Sequence, residues 1–464
     1  MARHFDAVVI GAGQSGPFLA VRLAKAGRKV ALIERRGLGG TCVNDGCIPT
    51  KTLVASARVA HQARVAADYG VVLGGEVRVD MAAVKARKDQ VVNASIGGLE
   101  RWVEGTENLT WIKGEARFTG PRQLQVNGET LTADQVFINT GGRPIVPDWA
   151  RPDWARDGGA PFLTNIEMMG VDVLPQHLII AGGSYIGLEF AQMYRRFGSR
   201  VTVVEYADRL IAREDPEISQ AVRQMLEAED IGVIVDARDF AVAKTDGGLT
   251  LSITADGEPL SIEGSHLLLA VGRKPNVEAL DLAAGGVALD DHGFIKVDDQ
   301  LRTSAQGVWA MGDVNGHGAF THTSYNDFEI VAANLLEDDP RGLSDRIPVY
   351  ALFTDPPLAR IGLSETQVRA SGRPALIGVM PMTRVGRARE RGETTGFMKV
   401  LADARTKRIL GAALFCIEGD EAIHCLLDVM AAGAPYTVIQ RTMHIHPTVS
   451  ELIPTLLGEM KPLV

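Results

Sequence analysis

Two cysteines, Cys42 and Cys47, are separated by four residues in the segment Gly39-Gly-Thr-Cys-Val-Asn-Asp-Gly-Cys-Ile-Pro-Thr-Lys51. A close thiol pair can exchange with disulfides, bind a soft metal or staple the chain. The spacing is wider than the two residues of common redox and zinc motifs, and no second pair lies nearby to complete a tetrahedral zinc site. A bond between them needs Cα atoms about 4.4–6.8 Å apart. Five steps along a regular helix put the two side chains on different faces, so such a bond demands a distorted first turn, which Gly46 permits. A thiol at a helix N-terminus gains thiolate character from the dipole, which suits thiol–disulfide exchange.

The surrounding elements point to nucleotides. Asp6 to Ile10 reads as a buried strand, followed by Gly11-Ala-Gly13-Gln-Ser-Gly16, a helical stretch to Ala26, and a strand from Lys29 to Ile33 ending at Glu34. Strand, glycine turn, helix, strand and acid is the order of a dinucleotide-binding unit, with the pyrophosphate at the helix N-terminus and the acid on a ribose. The same order recurs from His177: Gly182-Gly-Ser-Tyr-Ile-Gly187, a helix to Phe197, and a strand from Arg200 to Val204 ending at Glu205. Gly11 and Gly182, Gly16 and Gly187, and Glu34 and Glu205 are each 171 residues apart. Ser184 takes the place of the second glycine in the repeat. Glu205 would repel a 2′-phosphate, which favours NADH over NADPH, although Arg195, Arg196, Arg200 and Arg209 nearby weaken the preference.

Two such units in one chain suggest a flavin and a nicotinamide. Asn139-Thr140-Gly141-Gly-Arg-Pro144 and Ala270-Val-Gly272-Arg-Lys-Pro275 each follow an apolar strand and read as turns leaving the two sheets. Trp309-Ala-Met-Gly312-Asp313 ends another strand, placing Asp313 to accept a hydrogen bond from a ribityl hydroxyl.

Composition sets outer limits. At about 150 residues per domain, 464 residues make about three domains. The net charge of −9 argues against a nucleic-acid partner. Glycine is abundant, 50 residues, without the Gly-X-Y period of collagen. Four cysteines exclude a disulfide scaffold. No targeting segment and no apolar run of membrane-spanning length is present, so a soluble cytoplasmic protein is expected.

Taken together, the cysteine segment, both glycine fingerprints, the Gly312-Asp313 turn and His446-Pro-Thr-Val-Ser-Glu451 resemble the class I pyridine nucleotide-disulfide oxidoreductases, such as lipoamide dehydrogenase, glutathione reductase and mercuric reductase. The resemblance covers essentially the whole chain. It implies an α/β fold with two Rossmann-like domains and a C-terminal α+β dimerisation domain. The implied boundaries are 1–146 for the first part of the FAD domain, 147–275 for the NAD(P) domain, 276–345 for the second part of the FAD domain and 346–464 for the interface domain. It implies a homodimer carrying FAD and using NADH, with NADPH possible. Cys47 would face the flavin and Cys42 attack the substrate. His446, from the partner subunit and oriented by Glu451, would move protons. Lys51 would pair with Glu189 beside the flavin, and Tyr185 would cover the nicotinamide pocket. Gly40, Thr41, Thr140, Gly141 and Gly272 join the cofactor-binding set.

The implied acceptor is a disulfide or related small oxidant, with a mercuric or cupric ion or lipoamide as alternatives. Pro49 to Leu53, Phe353 to Pro357 and Arg387 to Arg389 are similar to the mercuric-reductase-like branch. Yet no cysteine follows Cys425, where a mercuric reductase has a vicinal pair, and His446 with Glu451 suits a disulfide reductase. Asp45 replaces the apolar residue usual in lipoamide dehydrogenase and is expected to raise the thiol pKa by charge repulsion. Cys416 and Cys425 read as inert core thiols. His444-x-His446 is assigned to acid–base work rather than metal, and no metal site is expected. The arginines from Arg384 to Arg391 read as a solvated face or interface, and Val449 to Met460 as an apolar helix interrupted by Pro454.

Overall fold

The computed structural model describes residues 2–151 and 162–464. The first strand, Arg3–Ile10, is apolar and buried from Ala7 onward because it lies inside a parallel sheet covered on both faces. Its neighbours are Val30–Glu34 and then Leu109–Lys113 on one side, and Glu129–Ile138 on the other, all parallel. Glu129–Ile138 is long enough to carry two partners. Its first half pairs antiparallel with Gln123–Val126, and its second half pairs parallel with Val308–Ala310. Ala116–Gly120 closes this seven-stranded sheet.

Four parallel strands make a second sheet, in the order Gly232–Ile234, Arg200–Val204, His177–Ala181, His266–Leu269. An antiparallel three-stranded sheet, Arg238–Thr245, Gly248–Ala255 and Glu258–Gly264, packs beside it. Residues 152–161, within the range expected for the NAD(P) domain, lie outside the described residues. The two glycine turns that leave the parallel sheets pair with each other: Gly142–Pro144 runs antiparallel to Arg273–Pro275. After this ribbon the chain returns to the first sheet with Val308–Ala310 and the helix Thr321–Ala332.

From Val349 onward the chain forms a six-stranded antiparallel sheet with its own core. Pro454 does not interrupt a long helix there. A 3₁₀ turn, Ser450–Leu452, gives way to a short helix, Ile453–Gly458, with the proline in its first turn, where no amide partner is lost.

Candidate functional site

The two nucleotide-binding turns are superimposable in their hydrogen bonds. The Gly11 amide donates to the Ile33 carbonyl and the Gly182 amide to that of Val204, both at 2.8 Å. Glu34 accepts from the Ala12 and Arg36 amides, at 2.8 and 2.7 Å. Glu205 does the same with the Gly183 and Ala207 amides. Each acid thereby locks the turn that precedes its helix.

Glycine is enforced by contact. A Cβ on Gly16 would stand 2.1 Å from the Gly11 carbonyl oxygen, and one on Gly187 would stand 2.0 Å from that of Gly182. Gly40 answers a different demand, since a Cβ there would stand 2.7 Å from the Gly13 Cα. Ser184, by contrast, is exposed at the start of the helix Tyr185–Phe197. Gly16→Ala is expected to cost about 1–3 kcal/mol of stability through this overpacking. Thermal melting and FAD content of the purified variant check it, and wild-type values of both would refute it.

The segment Gly39 to Lys51 crosses the mouth of the first turn. Gly39 and Gly40 take positive φ, 90° and 56°, and the Gly39 amide donates to the Ala12 carbonyl at 2.8 Å. A short helix, Gly40–Asn44, carries Cys42, and a break at Asp45 and Gly46 restarts the chain as the long helix Cys47–Val65. The break brings the two thiols into hydrogen-bond contact from successive helices. This contact pulls the Cys47 thiol down to about 6, helped by Thr321 and the Lys51 ammonium and opposed by burial. The same contact, with burial, pushes Cys42 up. Cys47 is therefore the thiolate and Cys42 its donor.

Asp45 does not act as its position in the sequence suggested. Its side chain is buried away from the sulfurs against Arg36, at 2.8 Å, and its carbonyl accepts from Asn165 at 2.7 Å. The arginine absorbs its charge, and the rise at Cys42 has a different cause.

A cavity of about 1170 Å³ joins these parts. Gly11, Gly13 and Glu34 line one end, with Thr140 and Gly141 from the next strand. Gly40, Thr41, Cys42 and Cys47 line the middle, and Lys51, Glu189 and Tyr185 the far side. Lys51 Nζ meets Glu189 Oε2 at 2.6 Å, and the other Glu189 oxygen accepts from the Phe353 amide at 3.0 Å. Asp313 faces the same space half-buried, its carboxyl pushed up by desolvation, and no other described residue donates to its carboxylate.

Gly312 lies behind the wall, its amide on Asp327 at 2.7 Å, and aims Asp313 inward. Gly16 packs behind it as well. Gly272 belongs to the ribbon instead, its carbonyl taken by the Ile145 amide at 3.0 Å. Gly182, Gly187 and Glu205 do not line this cavity and sit at the end of the second parallel sheet.

Three of the arginines flanking Glu205 are engaged elsewhere. Arg196 grips Glu229 and Asp355, Arg195 reaches Asp230 and the Glu229 carbonyl, and Arg209 reaches Asp208 and the Ala212 carbonyl. Arg384 is paired with Glu459 and Arg391 with Glu418, while Arg387 donates to the Pro447 carbonyl at 2.8 Å, next to His446. His446 Nδ1 lies 2.7 Å from Glu451 Oε2, with the imidazole 79% exposed and the carboxylate 12%. The pair does not line the thiol cavity of its own chain. His444 is turned to the Ser450 carbonyl.

Two contributions escape a reading of the sequence. Thr321 Oγ1 sits 2.9 Å from Cys47 Sγ although 274 residues separate them. Asn139, oriented as its neighbours require, accepts from the Gly16 and Gly13 amides at 2.9 and 3.3 Å and ties the first turn to the next strand. No local pattern marks Thr321, and Asn139 stands at the head of a turn that the sequence does mark, without a sign of this role.

The model of the pyridine nucleotide-disulphide oxidoreductases matches residues 5–327, and that of their dimerisation domain matches residues 349–457. The chain belongs to this family. It is 35% identical over 464 residues to the probable pyridine nucleotide-disulfide oxidoreductase RclA of Escherichia coli, covering 98% of this chain and 99% of the relative. It is 34% identical over 457 residues to the dihydrolipoyl dehydrogenase of Halobacterium salinarum, covering 96% and 94%. A solved structure described as the Cu(II) complex of the HOCl-induced flavoprotein disulfide reductase RclA from Escherichia coli superimposes with a TM-score of 0.87 at 35% identity, covering 98% and 99% of the two chains.

As a pyridine nucleotide-disulfide oxidoreductase, the chain uses FAD and NAD(P)H and pairs as a homodimer through its C-terminal part. The site fits FAD: a glycine-walled channel at Gly11 and Gly13, an unpartnered carboxylate at Asp313 and the dithiol share one cavity. No helix among the described residues is long and apolar enough to cross a membrane.

Proposed function

We propose that the enzyme is an NADH-dependent reductase of a small disulfide, working through Cys42 and Cys47. The observation that carries this reading is that Cys42 and Cys47, on successive helices, line one cavity with the Lys51–Glu189 pair and Asp313. Gly11, Gly13, Glu34, Gly40, Thr41, Thr140, Gly141 and Asp313 would hold FAD, which when bound supplies a two-electron carrier between nicotinamide and dithiol. Gly182, Gly187 and Glu205 would hold the nucleotide, and Glu205, with three neighbouring arginines paired elsewhere, favours a free 2′-hydroxyl.

The chemistry of the reduced pair then follows from its protonation. Cys42, held as a thiol, needs a base before it attacks, and His446 of the second copy takes that proton, its ring fixed by Glu451. The Cys42 sulfur bonds to one sulfur of the substrate, and the departing thiolate receives the proton from His446. Cys47 then attacks Cys42, closing the Cys42–Cys47 disulfide and releasing the second thiolate. One NADH and one proton are consumed for two thiols formed. Residues 1–146 and 276–345 would make up the FAD domain, 147–275 the NAD domain and 346–464 the pairing domain.

Reduction of a cupric ion by the same dithiol is a second reading, favoured by the copper(II) complex described for the RclA relative. Turnover on a disulfide and on cupric ion, measured side by side, separates the two.

Anaerobic addition of one equivalent of NADH is expected to give long-wavelength absorbance from the Cys47 thiolate beside oxidised flavin. A lowered thiol pKa means the thiolate persists above the shifted value and is lost below it. The band should therefore fade with a midpoint near the pKa of about 6 as pH drops. No band at neutral pH, with both cysteines intact, would refute the dithiol reading.

A further inference from the structure

Tyr185 opens the helix Tyr185–Phe197 and stands in the cavity wall one helical turn before Glu189. Its ring meets Tyr350 edge-on, 5.5 Å between centroids, and Phe320 likewise at 6.0 Å, while Phe320 and Tyr350 stack at 5.5 Å. Aromatic contact alone gives such a ring several resting places. What selects one is Glu214. Its Oε1 accepts from the Tyr350 hydroxyl at 2.7 Å and from the Tyr185 hydroxyl at 3.3 Å.

Glu214 cannot follow Tyr185 if the ring moves. Its Oε2 accepts from Arg360 Nε at 2.8 Å, and both side chains are buried. Arg360 also reaches Asp215 at 3.1 Å, and Asp215 takes Lys399 at 2.8 Å and the Thr366 amide at 3.0 Å. Arg360, Tyr350 and Lys399 come from the C-terminal sheet, whereas Glu214 and Asp215 precede the helix Pro216–Ala228 beside the second parallel sheet. Removing a charge from such a buried set is costly, so the carboxylate is a fixed point.

We propose that Glu214 is a positioning residue that latches Tyr185 shut over the nicotinamide side of the cavity, and that Tyr350 weakens the latch by sharing the same oxygen. The proposal rests on the reading that Tyr185 covers the nicotinamide pocket. Entry of the nucleotide breaks the longest of the three contacts to the carboxylate, Tyr185 to Glu214, and leaves the other two in place. Affinity for the nucleotide is thereby set in part by a residue that does not touch it.

Two conservative substitutions give opposite expectations. Tyr185→Phe keeps the ring and loses the latch, so the apparent Kd for NADH should fall by about threefold to tenfold, the worth of one hydrogen bond. Tyr350→Phe leaves Glu214 Oε1 to Tyr185 alone, so the apparent Kd should rise by about twofold or more. Rapid mixing of the FAD-loaded enzymes with increasing NADH, following flavin bleaching, reads both values. A merely structural role would move the two variants in the same direction. That result, or no change in either, would overturn the latch. Failure of the wild-type enzyme to bleach with NADH or NADPH would instead overturn the reading on which it rests.

Discussion

Cys42→Ser is expected to lower kcat/KM for disulfide reduction by at least about a thousandfold, while NADH consumption with an artificial one-electron dye continues. Serine can still donate a hydrogen bond to Cys47, as the thiol does now. It cannot form the mixed disulfide or receive the attack of Cys47, so the loss falls on the bond-making step and not on the electrostatics of the pair. The variant should therefore keep a Cys47 thiolate and its long-wavelength absorbance without the turnover. Steady-state assays with a disulfide and with the dye, on one preparation, check the split. Equal loss in both assays would place Cys42 in the structure of the site instead.

The second large effect concerns His446. Removing a general acid–base group costs about a hundredfold to ten-thousandfold, and His446→Ala is expected to fall in that span for disulfide turnover. The geometry adds a sharper expectation. His446 and Glu451 form a ready pair with an exposed ring, yet they do not line the cavity that holds the thiols of the same chain. If each active site takes its dithiol from one protomer and its imidazole from the other, a heterodimer of Cys42→Ser with His446→Ala has one site lacking both groups and one site intact. Its activity should be about half that of the wild type, although each parent homodimer is nearly inactive. Differentially tagged, co-expressed and purified heterodimers supply the test. Activity no higher than that of the parents would assign the histidine to its own chain.

These expectations show which parts of the molecule can be read before it is folded. The paired glycine turns were legible because their demands are local. Gly16 and Gly187 each abut a carbonyl only five residues back, and Glu34 and Glu205 each bind amides of their own unit. The thiol pair was legible for the same reason, with Gly46 marking the break between two helices.

What failed were inferences from sequence proximity about where a charge points, whereas the Lys51–Glu189 and His446–Glu451 pairs stand as expected. Asp45 lies between the cysteines in sequence, but Arg36 draws it away from them, and three of the four arginines near Glu205 are spent on Glu229, Asp230, Asp355 and Asp208. Sequence distance also hid Thr321, the hydroxyl on Cys47, and the Glu214–Arg360 contact, because both join segments more than a hundred residues apart. Pairings of this kind are set by packing of whole sheets and leave no periodic trace.

The ribbon of Gly142–Pro144 against Arg273–Pro275 has a bearing on ancestry. The chain leaves the first sheet on one of these strands and comes back on the other, so everything between them, including the second parallel sheet, is a loop with its two ends already side by side. A gene segment with adjoining ends can be spliced into a turn of a host fold without displacing the strands on either side. The 171-residue offset between the turns fits an insertion of one such unit into another. If the inserted segment holds the nicotinamide nucleotide as proposed, deleting it and closing the chain at the ribbon should leave a smaller protein that retains a flavin and no longer responds to NADH.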